Sequence, residues 1–382
     1  MKETIEKLKK SPLFNLSLSS KELFHSNFLY WLGNTYPLEF GSLFSGFLNK
    51  QPEDFSIKEI FREKESIDLS FNYSNGQEVL IENKIKSLPY IGQLAKYSEK
   101  HTNWKNYILL SLAEPMFFQS QNKMEINGAI WHYLSYTDLQ LMLQPIPERI
   151  KNEYHRQLII DYCEFISGLI KINEYCVIDG EELFDFHSIK TNQLYRQLID
   201  LRLHDFYLKK KYELLAYEIY KKLNKPGKNL TPFSLPLNWN SETPVIYMGY
   251  GMTRSLGLMD MKYLIAPNIA LGIQIQGEHY RMVVEDTRGK IAGKIKNELA
   301  NDLWFDFSKT FPKSKVYPKP EKGFNKYGET FFYKSVKLGT KLKIKDIVDV
   351  ILYDIERIEY NFKAIEEIIG VSSKRNAQSK NR

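Results

Sequence analysis

Apolar and polar positions alternate most clearly between residues 66 and 85. Ile67, Leu69, Phe71 and Tyr73 interleave with Ser66, Asp68, Ser70 and Asn72, the period-two signature of a half-buried strand with one polar face. Ser74-Asn75-Gly76 follows, and EVLIENKI returns as the partner strand. A two-residue Asn75-Gly76 turn sets Leu69 beside Glu82 and Phe71 beside Leu80, which mixes the faces. A three-residue Ser74-Asn75-Gly76 loop with Gly76 in the left-handed region instead pairs Ile67 with Asn83, Leu69 with Ile81 and Phe71 with Val79. The opposite face then carries Asp68 against Glu82 and Ser66 against Lys84. The second register segregates the apolar pairs and is the one expected.

Other elements follow from the same patterning. Ser19 and Glu22 have capping-box spacing, and Phe24, Phe28, Trp31 and Leu32 recur at helical intervals to about Gly33. IKEIFREK, Ile57 to Lys64, is a charged strand. A helix from about Leu88 to His101, the apolar strand NYILLSLA and a further strand WHYLSY complete the first 145 residues. Residues 146–228 are helical in pattern, ending at Lys225-Pro226-Gly227. PVIYMGYG, NIALGIQIQGEHYRMVVE and TFFYKSVKL are strand candidates in a β-rich α+β region over 229–370, closed by an amphipathic helix from about Lys345 to Ile369. The tail 371–382 has a disordered, basic composition.

A length of 382 residues implies two or three domains. Lys and Arg number 53 against 46 Asp and Glu, a net charge of +7 that permits a polyanionic partner. Cys163 and Cys176 are the only cysteines, too few for a disulfide scaffold or a four-thiolate metal site. With no apolar run of membrane-spanning length and no leader-like start, the chain reads as cytoplasmic, with no membrane partner.

The paired strands point to chemistry. Directly opposed residues have β-carbons about 5 Å apart, so the Asp68 and Glu82 carboxylates repel unless a cation lies between them. Mg²⁺ suits such a pair, because it takes one or two carboxylates and keeps several waters. Lys84 would place an ammonium beside such a water, an arrangement suited to phosphodiester hydrolysis.

Asp68, thirteen intervening residues and Glu82-Asn83-Lys84 on the next strand resemble the PD-(D/E)XK nuclease superfamily, with Ile67 in the position of the proline. Lys21-Glu22-Leu23-Phe24-His25-Ser26-Asn27-Phe28-Leu29 is similar to the opening helix of a bacterial branch of uncharacterised members. Gln93 and Tyr97 match the Q-x-x-x-Y helix of exonuclease-like branches. The resemblance covers about residues 15 to 140. It implies an α/β fold, a restriction-endonuclease-like core with a mixed sheet flanked by helices, followed here by the helical middle and the α+β C-terminal domain. It implies a metal held by Asp68, Glu82 and the backbone carbonyl of Asn83, with Mn²⁺ able to replace Mg²⁺. Lys84 would orient or help deprotonate the attacking water, Glu22 would support a metal-bound water, Gln93 would help organise the site or the DNA backbone, and Tyr97 would contact nucleic acid. In-line attack would leave a 5′-phosphate and a 3′-hydroxyl, on DNA as the expected substrate.

Several residues have plainer readings. Glu22 is explained nearly as well by capping, Gln93 and Tyr97 by helix-surface proximity, His25 by packing, and Glu63 and Glu65 by solvation. Gly249-Tyr250-Gly251 has Arg254 where a dinucleotide loop needs glycine, so it is expected to be a turn between strands. There is no phosphate-binding loop for ATP. From Lys309 to Lys345 eleven lysines, among them Lys313, Lys315, Lys319, Lys322 and Lys326, alternate with aromatics. That stretch suits a nucleic-acid backbone or an ordinary solvated surface. The expected function is a Mg²⁺-dependent DNA nuclease. The alternative is a non-catalytic nucleic-acid-binding or sensor protein on the same scaffold, including as a subunit of a bacterial defence system, with oligomers and system partners left open.

Overall fold

A computed structural model describes residues 1–18, 22–48, 54–102, 106–118, 121–253, 256–289, 291–299, 303–311, 323–339 and 341–370. Two compact units divide the chain: Met1–Cys176 with Gln197–Tyr207, and Val177–Arg196 with Leu208–Arg382.

The first unit contains α1 (Lys2–Lys10), α2 (Pro12–Ser17), α3 (Glu22–Thr35), α4 (Pro37–Phe44), β1 (Ile57–Lys64), β2 (Ile67–Tyr73), β3 (Glu78–Lys84), α5 (Ile91–Lys100), β4 (Asn106–Ser111), β5 (Lys123–Ile126), β6 (Ala129–Ser135), α6 (Tyr136–Leu143) and α7 (Glu153–Glu174). Its sheet has the order β1-β2-β3-β4-β6-β5. β1, β2 and β3 form an antiparallel meander, β3, β4 and β6 are parallel, and β5 closes the edge antiparallel to β6. This is a mixed sheet flanked by helices, the restriction-endonuclease-like α/β arrangement. Every residue of β4 is buried, as a parallel strand covered on both faces requires.

The β2–β3 ladder pairs Leu69 with Ile81 and Phe71 with Val79. Tyr73 and Gln77 close the three-residue loop, Gly76 donates to the Tyr73 carbonyl, and its φ is +78°. Gly76 therefore occupies the left-handed region that a Cβ disfavours. α3 lies close on the meander: a Cβ on Gly33 would come within 2.6 Å of Ile60 Cδ1. α3 begins at Glu22, and Ser19, its expected capping partner, lies outside the described residues. In α5, Ile91, Leu94 and Ser98 are buried, so Gln93 and Tyr97 share the neighbouring stripe of the helix.

The division between units falls within α8 (Gln193–Asp200) and α9 (His204–Leu223). The helical stretch 146–228 is thus shared: α7 belongs to the first unit, while residues 208–223 of α9 belong to the second. The second unit adds β7 (Val245–Thr253), β8 (Leu256–Ala266), β9 (Ile269–Gln276), β10 (His279–Asp286), α10 (Ala292–Glu298), α11 (Phe307–Thr310), β11 (Asn325–Tyr327), β12 (Phe331–Lys337) and α12 (Ile344–Tyr360). These strands form an antiparallel sheet ordered β11-β12-β10-β9-β8-β7. One face is buried through Met259, Met261, Ile273, Ile275, Tyr280, Met282 and Val284. There the Tyr280 hydroxyl donates to Asp354 of α12 at 2.7 Å.

Two strand expectations are corrected. Gly249-Tyr250-Gly251 lies inside β7 rather than in a turn, because Tyr250 is buried while Gly249 leaves room for Ser234, whose Cα lies 3.3 Å from where a Cβ would stand. NIALGIQIQGEHYRMVVE is two strands, β9 and β10, folded at Gly277 with φ +57°. The tail 371–382 lies outside the described residues, and among those described no helix is long and apolar enough to cross a membrane.

Candidate active site

Alternation along β2 and β3 brings Asp68 and Glu82 to one face of the meander. Asp68 Oδ2 accepts the backbone N–H of Asn83 at 2.8 Å. Glu82 is 1% exposed. Its Oε1 accepts Gln93 Nε2 at 2.8 Å and lies 2.5 Å from Lys84 Nζ, while its Oε2 is buried without a hydrogen-bond partner. A buried carboxylate oxygen without a donor is costly. Burial first, and the charge of Asp68 second, push the Glu82 carboxyl up to about 8, against the pull of Lys84. Burial likewise raises Asp68, opposed by the Asn83 N–H and Lys84.

Lys84 responds in the opposite sense. Burial disfavours its charge, but Glu82, then Asp68 and Glu22, outweigh that and raise its pKa. It is an ammonium at neutral pH. α5 supplies the remaining contacts: Gln93 Nε2 also donates to the Tyr97 hydroxyl at 2.8 Å, and that hydroxyl donates to the Ser66 carbonyl at 2.8 Å. Ser66 has φ +72°, so Tyr97 anchors the left-handed turn that starts β2.

Glu22 sits at the start of α3, with Oε1 accepting Ser87 N–H at 2.8 Å, Ser87 Oγ at 2.7 Å and Lys86 N–H at 3.1 Å. Burial works against its charge, but these donors and Lys84 hold its pKa below the usual value. Glu22 thus ties α3 to the loop after β3 and adds negative charge near Asp68 and Lys84. Asn83 turns away from the carboxylates. Its Nδ2 donates to Ser26 Oγ at 3.0 Å and to the Glu22 carbonyl at 3.4 Å, and its Oδ1 accepts the Tyr136 hydroxyl at 2.7 Å.

Sequence reasoning missed Ser26, Ser87 and Tyr136 as partners of this group. Ser26 was visible only as part of the His25-Ser26-Asn27 run, and the other two carry no local signal. His25 is a core residue: its Nδ1 is 3.1 Å from the Tyr162 hydroxyl, and burial pushes its pKa down to about 3. Glu63 and Glu65 lie at the exposed β1–β2 turn, where Glu65 is 3.4 Å from His101. Lys313, Lys315, Lys319 and Lys322 lie outside the described residues. Lys326, in β11, is exposed and paired with Glu329.

Residues 13–164 match the family model of the PD-(D/E)XK nuclease superfamily. This region of the chain is similar to that superfamily. No curated protein and no solved structure matches the chain. Asp68, Glu82 and Lys84, the residues expected from the sequence to fill its acidic and lysine positions, lie within the matched region. Phosphodiester hydrolysis with a divalent metal is the general chemistry of the superfamily, although members can be inactive. Among the described residues, no group of three or more His, Cys, Asp and Glu could hold a metal. The Asp68–Glu82 pair nevertheless fits a hard cation: two carboxylates suffice for Mg²⁺ when water fills the other positions, and Glu82 Oε2 lacks a donor.

Proposed function

We propose that the PD-(D/E)XK region is a Mg²⁺-dependent phosphodiester hydrolase that cuts DNA by in-line attack of water. The observation that carries this reading is the buried Glu82 carboxylate, which holds Lys84 with one oxygen and leaves the other without a donor. Asp68, Glu82 and the Asn83 backbone carbonyl would hold the cation. When bound, Mg²⁺ supplies positive charge at the scissile phosphate and makes water more acidic.

The protein's own groups do the rest. Gln93 and Lys84 hold one oxygen of the Glu82 carboxylate and leave the second without a donor. Lys84, kept charged by its acidic neighbours, donates to the attacking water or to a phosphate oxygen and stabilises negative charge as it builds there. As an ammonium it acts as donor rather than as base. Glu22 adds negative charge that helps keep Lys84 protonated.

A nucleic-acid-binding or sensor protein is the second reading, supported by the engagement of Glu22 Oε1 with Ser87 and Lys86. The two are separated by incubating the full chain with circular DNA, linear DNA and RNA in Mg²⁺, Mn²⁺ or EDTA. The nuclease reading expects circular or linear DNA to be cut with either metal and spared in EDTA and by Asp68→Ala. Binding without cleavage under every metal condition would favour the sensor.

A further inference from the structure

β10 buries Tyr280, Met282 and Val284 on one side of the second sheet, so Arg281, Val283 and Glu285 share the other. The register extends that face. Arg281 stands opposite Gln274 on β9, while Val283 stands opposite Tyr333 on β12, which stands opposite Asn325 on β11. At this edge Tyr327 and Tyr333 stack with centroids 5.5 Å apart and planes 23° apart. The Arg281 guanidinium lies 4.7 Å from the Tyr333 centroid and 6.0 Å from that of Tyr327. Tyr327 is 54% exposed.

Among the described residues, Arg281 is held by neutral groups. Its Nη1 donates to Gln274 Oε1 at 2.9 Å, its Nε is buried without a hydrogen-bond partner, and among the described residues no carboxylate pairs with it. The nearby lysines differ, since Lys262 contacts Asp260 and Glu285, Lys337 contacts Glu278 and Lys326 contacts Glu329. A guanidinium laid on two stacked rings and lacking a counter-anion calls for a ligand with both flat faces and negative charge. Unpaired nucleic acid has both: bases stack on exposed aromatic rings, and a phosphate accepts guanidinium N–H groups. The net charge of +7 favours the same partner.

We propose that the Arg281–Tyr327–Tyr333 edge of the second sheet binds single-stranded nucleic acid, stacking an unpaired base on Tyr327 and pairing a neighbouring phosphate with Arg281. The choice of polyanion rests on the nuclease reading, but the surface shares no residue with Asp68, Glu82 and Lys84.

The test is fluorescence anisotropy of labelled dT20 with the full chain in EDTA, against Tyr327→Ala, Tyr327→Phe and Arg281→Gln, each checked for an unchanged unfolding temperature. Tyr327→Ala and Arg281→Gln should weaken dT20 binding at least fivefold, and Tyr327→Phe should retain parental affinity. Arg281→Gln should also lower the salt slope by about 0.7 for one lost phosphate contact. Affinities within twofold of the parent for both variants, or no dT20 binding by the parent, would overturn the inference. If neither circular nor linear DNA is cut with Mg²⁺ while these losses appear, the nuclease reading fails and this one stands.

Discussion

Each unit sets a lysine beside two acids on a β-sheet, and the two groups differ in what the lysine does. In the second unit, Lys262 reaches Asp260 at 3.2 Å and Glu285 at 3.0 Å, crossing β9 at Gly272, the residue opposite it. In the first, Lys84 pairs with Glu82 at 2.5 Å, and Asp68 is held by a backbone N–H. Burial raises both Glu82 and Glu285. The next largest influence on Glu82 is the repulsion of Asp68, whereas on Glu285 it is the attraction of Lys262. A strand-borne acid-x-lysine therefore says little by itself. What separates Glu82-Asn83-Lys84 from Asp260-Met261-Lys262 is a second carboxylate held by a backbone N–H rather than by an ion pair to the lysine.

The largest test of that contrast is cleavage. Asp68→Ala and Glu82→Ala should each abolish Mg²⁺-dependent plasmid cutting, by at least about a thousandfold, whereas Asp260→Ala should leave the rate unchanged. Calorimetry of the apo proteins should show the fold retained, since losing either acid relieves the repulsion. Equal losses of activity at Asp260 would erase the distinction.

Next in size is a pH effect on stability. The folded Glu82 carboxyl, at about 8, titrates above its ordinary value of 4.5. The folded state therefore binds the proton more tightly than the unfolded state. That contribution is fully present below pH 4.5 and is lost as pH rises through 8, amounting to at most about 5 kcal/mol. Unfolding temperature without metal should fall between pH 5 and pH 9. Glu82→Gln should flatten the profile, as should saturating Mg²⁺. A profile that Glu82→Gln leaves untouched would assign the effect to other groups.

Lys84→Ala should cost about 3 kcal/mol in single-turnover cleavage, a factor of roughly 10² to 10³, with DNA affinity in Ca²⁺ or EDTA within threefold. A loss confined to affinity would make Lys84 a binding residue. The smallest effect falls on the second sheet. Lys262→Met leaves Asp260 and Glu285 without their cation and should lower stability by about 1 to 2 kcal/mol, a partly exposed group costing less than a fully buried one. Cleavage by Lys262→Met should match the parent.

The meander and its carboxylates were legible because the information is local. Period-two alternation and the Ser74-Asn75-Gly76 loop together leave one register that separates Leu69 and Phe71 from Asp68. Gln93 and Tyr97 were legible as a motif, but the Tyr97 bond to Ser66 spans 31 residues and no local pattern announces it. The same holds for Glu22 with Ser87 and for Asn83 with Tyr136. α1, α2 and α4 were not foreseen. β8 was overlooked as well, because Met259, Met261 and Tyr263 form a buried face from residues without β-branching, interleaved with the charges of Asp260 and Lys262.

The amide of Asn83 has a consequence for descent. β3 gives its two faces separate surroundings: Asn83 ties the strand to α3 and to Tyr136, while Glu82 and Lys84 are the residues proposed to carry the chemistry. A lineage could replace either acid and inherit the architecture unchanged, so the proposed cutting could be lost by one substitution while the shape persists. Loss of Asn83 would leave Ser26 and Tyr136 without their shared partner inside the protein, and selection for a folded chain would resist it even after catalysis had gone. In distant descendants of this chain, the middle residue of Glu-Asn-Lys is expected to outlast its two neighbours.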